Sequence, residues 1–327
     1  MEVMYTINPG YLDVMLASLL SMYENGHLDK INLNVVTEGF TQQDLYKLES
    51  FVSQLDRVNL RHFPLEDFNI DRFNLPNWRN SQIANARLFF EELLSDNISD
   101  IHHLLYLDAD TIVKGRLDDL HEYDDEVLSL APDSGLKSYQ EKLGLSNYYN
   151  TGVIYVNVDK WQEIGMQSKL VKEASPKKCI SFPDQDLFNI IFCEYINPLP
   201  QKYNVCPNIF MYGPIGTKLY TVPRNVDYKD TMEAKDDPRI LHTCGFADIK
   251  AWDNQNINPF TDDFINYLDQ VNPDFERRDL SPLKKAVALN KTMFGAVLLA
   301  RSFVPAKFED KVRSKILTMT GRIEKDS

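Results

Sequence analysis

The chain has 327 residues, 43% of them hydrophobic, and a formal net charge of −13. That length and apolar content suit one large α/β domain or two smaller ones with ample core. The acidic balance argues against general nucleic-acid binding, and no uninterrupted apolar run reaches membrane-spanning length.

From the N-terminus, "EVMYTI" reads as a strand and "YLDVMLASLLSMYENG" as an apolar-periodic helix closed by Gly26. "INLNVVT" is a second strand, and "TQQDLYKLESFVSQL" a second helix with Thr41 as N-cap. "RVNLRHF", "SQIANARLFFEELL" and "HHLLYLD" continue the rhythm. Such alternation predicts a largely parallel sheet with helices on both faces, and ligands at the carboxyl ends of its strands. The stretch "LLYLDADTIV" puts Asp108 and Asp110 at such an end. In extended backbone, residues two apart share a side, so both carboxylates can converge on a divalent metal. Aspartates also cap helices and fill turns, and Asp184-Gln185-Asp186 repeats the pattern.

Beyond residue 110, "EVLSLAPD" and "YYNTGVIYVNVD" read as strands, and "DKWQEIGMQSKLVKEA" and "PDQDLFNIIFCEY" as helices. Residues 197–239 are rich in Pro, Tyr, Asn and Gly, which predicts irregular structure. Cys179, Cys193, Cys206 and Cys244 lack CxxC spacing and read as reduced thiols in a reducing compartment. "MEVMYTINPG" has no basic segment followed by a long apolar one, so a cytosolic protein is expected. Residues 281–327 carry +6, leaving −19 on residues 1–280. Lys291 and Arg301 interrupt the apolar stretch there, which disfavours a spanning helix. It suits either an interfacial helix on anionic lipid at the inner membrane face, or packing on the acidic body or another subunit.

"LYLDAD", "YYNTGVIYVN", "FPDQDLFN" and "LHTCGFADIKAW" stand in an order and spacing that resembles the retaining GT-A glycosyltransferases of family 8. That group includes bacterial lipopolysaccharide galactosyl- and glucosyltransferases and glycogenin. The resemblance implies a Rossmann-like, mostly parallel GT-A sheet flanked by helices in a catalytic domain over 1–260. A helical, basic and apolar C-terminal extension over 261–327 completes the expected organisation.

The resemblance implies Asp108, Asp110 and His242 as metal ligands. Two carboxylates and an imidazole suit Mn²⁺, with Mg²⁺ as the alternative. A Zn²⁺ reading through Cys244 lacks a second thiol at ligand-like spacing. Lys250 matches the lysine that neutralises the donor diphosphate, and Gly245 a close backbone approach to it. Asn150, Asp184 and Gln185 match the catalytic residues at the donor sugar, Arg87 a donor contact, and Asp133 and Cys244 acceptor contacts. For each, a plainer role as turn, cap, core or surface charge stands beside the implied one. At the nucleotide end the family's acidic stretch is replaced by "NPGY", leaving Thr6, Asn8 and Tyr11 for base and ribose, with Ala109 between the aspartates. Trp252 reads as packing.

Gln185, an amide, stands where a carboxylate nucleophile would be sought, which favours front-face transfer over double displacement through Asp186. The expected activity is transfer of glucose or galactose from a UDP-sugar to a glycan or lipid-linked glycan. Two other readings compete. A sugar nucleotidyltransferase would need a glycine-rich, basic phosphate loop, which "YTINPGYLDV" lacks. A non-catalytic nucleotide-sugar or glycan-binding protein would not need three metal ligands. Homo-oligomerisation stays open.

Overall fold

The computed structural model describes residues 1–76, 81–133, 137–175, 182–211, 214–221, 226–244, 249–254 and 257–280. Nine strands lie among them: β1 (Glu2–Ile7), β2 (Ile31–Thr37), β3 (Val58–Pro64), β4 (His103–Leu107), β5 (Thr111–Val113), β6 (Leu128–Pro132), β7 (Tyr149–Asn157), β8 (Ile196–Pro198) and β9 (Ile240–His242). Seven form one sheet in the order β3-β2-β1-β4-β7-β6-β8, and β5 pairs with β9 separately. β1, β2, β3 and β4 run parallel. β7 runs antiparallel to β4 and β6, and β8 is parallel to β6. A mostly parallel sheet results, with β7 the reversed strand.

The side-chain period of two divides the core. Val3, Tyr5 and Ile7 of β1 join the cluster under helix Leu12–Asn25, whereas Met4 joins the opposite one with Phe89, Trp161, Phe188 and Phe192. With both faces covered, strands become apolar throughout, and every residue of β7 is buried. Helix Gln42–Val52 starts at Thr41 as expected, in a capping box whose other half is the Asp44 side chain.

Four expectations need correction. "LLYLDAD" is not extended throughout, because β4 ends at Leu107 and residues 108–110 turn before β5. "SQIANARLFFEELL" is broken into Ile83–Ala86, a 3₁₀ turn Arg87–Phe89, and Phe90–Leu93. The helix expected over "DKWQEIGMQSKLVKEA" divides at Gly165, whose φ of +69° glycine adopts without steric cost. The 197–239 region holds helices Pro214–Thr221 and Tyr228–Asp236, the second capped by the Asp227 side chain.

Helix Thr261–Val271, past the expected boundary at 260, packs on helix Leu12–Asn25. Asn25 donates to the Tyr267 hydroxyl at 2.7 Å, and Asn272 to Asp13 at 2.8 Å. Phe264 is fully buried with its ring centroid 4.9 Å from that of Trp252. The tail 281–327 lies outside the described residues.

Phe264→Ala should therefore cost about 3–5 kcal/mol in denaturant unfolding. A loss below about 1 kcal/mol would show that the helix does not anchor the body.

Candidate active site

β4 delivers its chain to the carboxyl edge of the sheet, and the turn after it presents Asp108 and Asp110. The Asp108 amide donates to Gly152 O at 2.8 Å, tying this turn to β7. β5 then pairs with β9 so that Thr111 faces His242, while the Thr243 amide donates to Asp110 O at 2.9 Å. Two segments more than a hundred residues apart thus hold two carboxylates and one imidazole on a common point. The ligand atoms of Asp108, Asp110 and His242 all lie within 4.8 Å of one another. His242 Nε2 is 3.2 Å from Asp110 Oδ1 and 3.5 Å from Asp108 Oδ2. This oxygen-and-nitrogen donor set fits a divalent ion such as Mn²⁺.

The carboxylates are balanced by three cations. Arg87 reaches Asp108 at 2.8 Å and Asp184 at 3.3 Å, and lies over the Tyr106 ring at 4.6 Å. Lys250 reaches Asp110 at 2.8 Å. Burial opposes ionisation of Asp110, but Lys250, followed by His242, outweighs it and holds this carboxyl well below its usual range. Burial likewise disfavours the His242 cation, yet Asp110 and Asp108 raise it to about 10. Burial raises the Asp184 carboxyl, with Arg87 pulling the other way. The imidazolium supplies part of the positive charge that a metal would bring, and neutral His242 is the form that can ligate one.

A chain of amides joins this centre to the expected sugar residues. His242 Nδ1 is 2.9 Å from Asn204 Oδ1, and Asn204 Nδ2 donates to Asn150 Oδ1 at 2.9 Å. Asn150 Nδ2 donates to Asp133 at 3.0 Å, and Gln185 Nε2 donates to the same oxygen at 3.1 Å. The Thr151 amide donates to Gln185 Oε1 at 3.2 Å. Asp184 and Gln185 occupy the first turn of helix Pro183–Phe192, so both a helix start and a place at the cluster hold. The second aspartate of Asp184-Gln185-Asp186 points elsewhere. Asp186 is fully buried and accepts from the hydroxyls of Tyr148 at 2.6 Å and Tyr139 at 2.8 Å.

Thr6 stands one bond behind the cluster, 3.0 Å from the Tyr106 hydroxyl, which donates to Asp108 at 2.8 Å. Asn8 precedes the turn Pro9–Tyr11 that follows β1, and Tyr11 in that turn meets Trp252 edge-on at 6.0 Å. Lys250 lies 5.7 Å from the Tyr11 ring centroid and 5.2 Å from that of Trp252. Ala109 is buried between the aspartates. The Cys244 sulfur stands 2.9 Å from that of Cys206. Gly245 lies outside the described residues.

The sequence reading missed three residues. Asn204 orients the His242 imidazole, but it sits in a stretch whose composition suggested only loop. Tyr106 reads as strand core, and its hydroxyl role has no local signal. Gly152 is required by space: a Cβ there would stand 2.1 Å from His242 Cε1. The glycine inside a strand interior was the available clue, since such a glycine marks close approach of another group.

The model of Glycosyl transferase family 8 matches residues 2–256. The chain belongs to this family. It is a glycosyltransferase, related to lipopolysaccharide glucosyl- and galactosyltransferases. It is 25% identical to a lipopolysaccharide 1,2-glucosyltransferase of Escherichia coli, over 94% of this chain and 88% of that protein. A lipopolysaccharide 1,3-galactosyltransferase of Salmonella typhimurium is 24% identical over 62% of this chain and 63% of its own. Among solved structures, the galactosyltransferase LgtC in complex with donor and acceptor sugar analogs superposes with a TM-score of 0.67. That match covers 83% of this chain and 96% of LgtC, and at 21% identity it establishes the GT-A fold.

Gly152→Ala should displace His242 and cut transfer about a hundredfold while leaving the melting transition cooperative. Unchanged activity would mean that His242 has another workable position. Asn204→Ala should weaken metal affinity by about 10- to 100-fold, measured by Mn²⁺ titration.

Proposed function

We propose that the chain moves a hexose, glucose or galactose, from its UDP conjugate to a glycan acceptor with retention of configuration, and that Mn²⁺ assists. The observation that carries this reading is the continuous network from Asp108, Asp110 and His242 to Asn150, Asp133 and Gln185. It links a metal-capable site to a row of groups that can bind sugar hydroxyls.

Asp108, Asp110 and His242 would hold the ion. When bound, a divalent ion supplies positive charge to the diphosphate, whose negative charge grows as the sugar leaves. Lys250, paired with Asp110, would turn its ammonium to a phosphate oxygen. Arg87 fixes Asp108 and Asp184 together, so the metal side and the sugar side share one rigid guanidinium. Asn150, Asp133 and Gln185 would orient the donor sugar.

The groups beside the sugar residues support front-face transfer. The Gln185 amide is a poor nucleophile, and Asp186 is held by two phenol donors inside the core. In this reading the acceptor oxygen attacks the anomeric carbon on the face the diphosphate leaves. Its proton passes to the departing phosphate oxygen.

Among the described residues no helix is long and apolar enough to cross a membrane. The basic, apolar stretch 281–327 supports peripheral attachment to anionic lipid and a lipid-linked acceptor at the cytoplasmic leaflet.

Thermal unfolding with a panel of nucleotide sugars, with and without Mn²⁺, tests the donor site. At a hundred times Kd, one UDP-sugar should stabilise the wild type by about 2.7 kcal/mol, and only with Mn²⁺. Asp110→Ala should abolish the effect. Stabilisation by a different nucleotide sugar, or one indifferent to metal, would overturn this assignment.

A further inference from the structure

A second set of ligating atoms adjoins the first. Cys206 and Cys244 are 38 positions apart, yet their sulfurs stand 2.9 Å from each other. Cys206 is buried and Cys244 partly exposed. The fold brings them together through the residue before Cys206. Val205 N donates to Ile240 O, and Val205 O accepts from the His242 amide, each at 2.9 Å. The segment bearing Cys206 is thereby laid along β9 and its continuation to Cys244. One ligand atom each from Cys206, His242 and Cys244 lies within 4.8 Å of the other two.

Two thiols and an imidazole suit thiophilic ions such as Zn²⁺ and Cd²⁺, with a fourth position left for water. A disulfide would use the sulfurs but leave the convergence of the imidazole unused. We infer that Cys206, Cys244 and His242 form a thiophilic-metal site that competes with the carboxylate site for His242. The competition, though not the site, rests on the reading of Asp108, Asp110 and His242 as Mn²⁺ ligands.

The imidazole cannot serve both without loss. Its Nδ1 is engaged by Asn204, and its Nε2 faces the two carboxylates. An ion on the thiolates must take one of these nitrogens. Taking Nε2 removes His242 from the aspartates, and taking Nδ1 releases it from the amide that orients it. Metal–sulfur bonds of about 2.3 Å at a tetrahedral centre spread the sulfurs to roughly 3.8 Å, which rotation of the Cys244 side chain can supply. The thiol protons pass to solvent as the ion binds, with no change in oxidation state. Thiophilic ions thus inhibit transfer from beside the centre.

The test is an anaerobic Cd²⁺ titration of the reduced, full-length protein, its thiols counted beforehand, read by thiolate-to-cadmium charge-transfer absorption. Wild type and Asp110→Asn should both develop the band, saturating near about one equivalent. Cys206→Ser should lose much of it and bind Cd²⁺ at least about tenfold more weakly, with Cys206→Ala as the second variant if serine disrupts folding. In Mn²⁺-supported transfer, Cys206→Ser should need at least about tenfold more Cd²⁺ for equal inhibition. A band absent from wild type, or equal in Cys206→Ser, overturns the site. A thiol count showing Cys206 and Cys244 already joined overturns it in favour of a disulfide. If no nucleotide sugar is turned over, the absorption band still decides the thiol site, while the proposed reaction fails separately.

Discussion

Two carboxylates aimed at one point repel, and burying them raises the cost unless cations lie beside them. At the end of β4 this constraint is met by Arg87 from one part of the chain and by His242 and Lys250 from another. The demand explains several otherwise unrelated features. Arg87 can be buried because its guanidinium is matched by Asp108 and Asp184. β9 pairs with β5, and this brings His242 to the two aspartates. β7 must carry a glycine where it does, because the imidazole fills the space a side chain would take.

The same balance describes a site ready for a charged ligand. His242 is held as a cation by the acids it faces, and Lys250 is held by Asp110. In the proposed reaction each of these attachments would be exchanged as a metal brought positive charge and a diphosphate negative charge. The amides of Asn204, Asn150 and Gln185 carry no charge and are hydrogen-bonded to one another or to Asp133. They form the rigid part of the centre, and the ion pairs form the part that can be rearranged.

What the sequence revealed follows from the range of the signals. The βα alternation is local periodicity, so β1 to β4 and helices Leu12–Asn25 and Gln42–Val52 were readable directly. Asp108 and Asp110 were readable too, though the reason was mistaken: a turn, and not extended backbone, brings them together. Asn204 and the Cys206–Cys244 contact were opaque because they arise from pairing of Val205 with β9, a long-range event with no periodicity. The helices in 197–239 were obscured by composition, since Pro214 and Asp227 start helices as well as turns. Families of motifs recover such distant placements only for residues that belong to the motif, and Asn204 belongs to none of the four.

Helix Leu12–Asn25 is synthesised well before helix Thr261–Val271, yet the later helix covers it through Tyr267 and the contact between Asp13 and Asn272. During synthesis on a ribosome, some 240 residues must emerge before that side is sealed. Until then a nascent chain with β1 to β4 already paired leaves the apolar side of the first helix that meets Phe264 and Leu268 uncovered. Chaperone engagement and early aggregation are accordingly expected to concentrate on the first helix rather than on the sheet, and to end when the segment around residue 270 arrives.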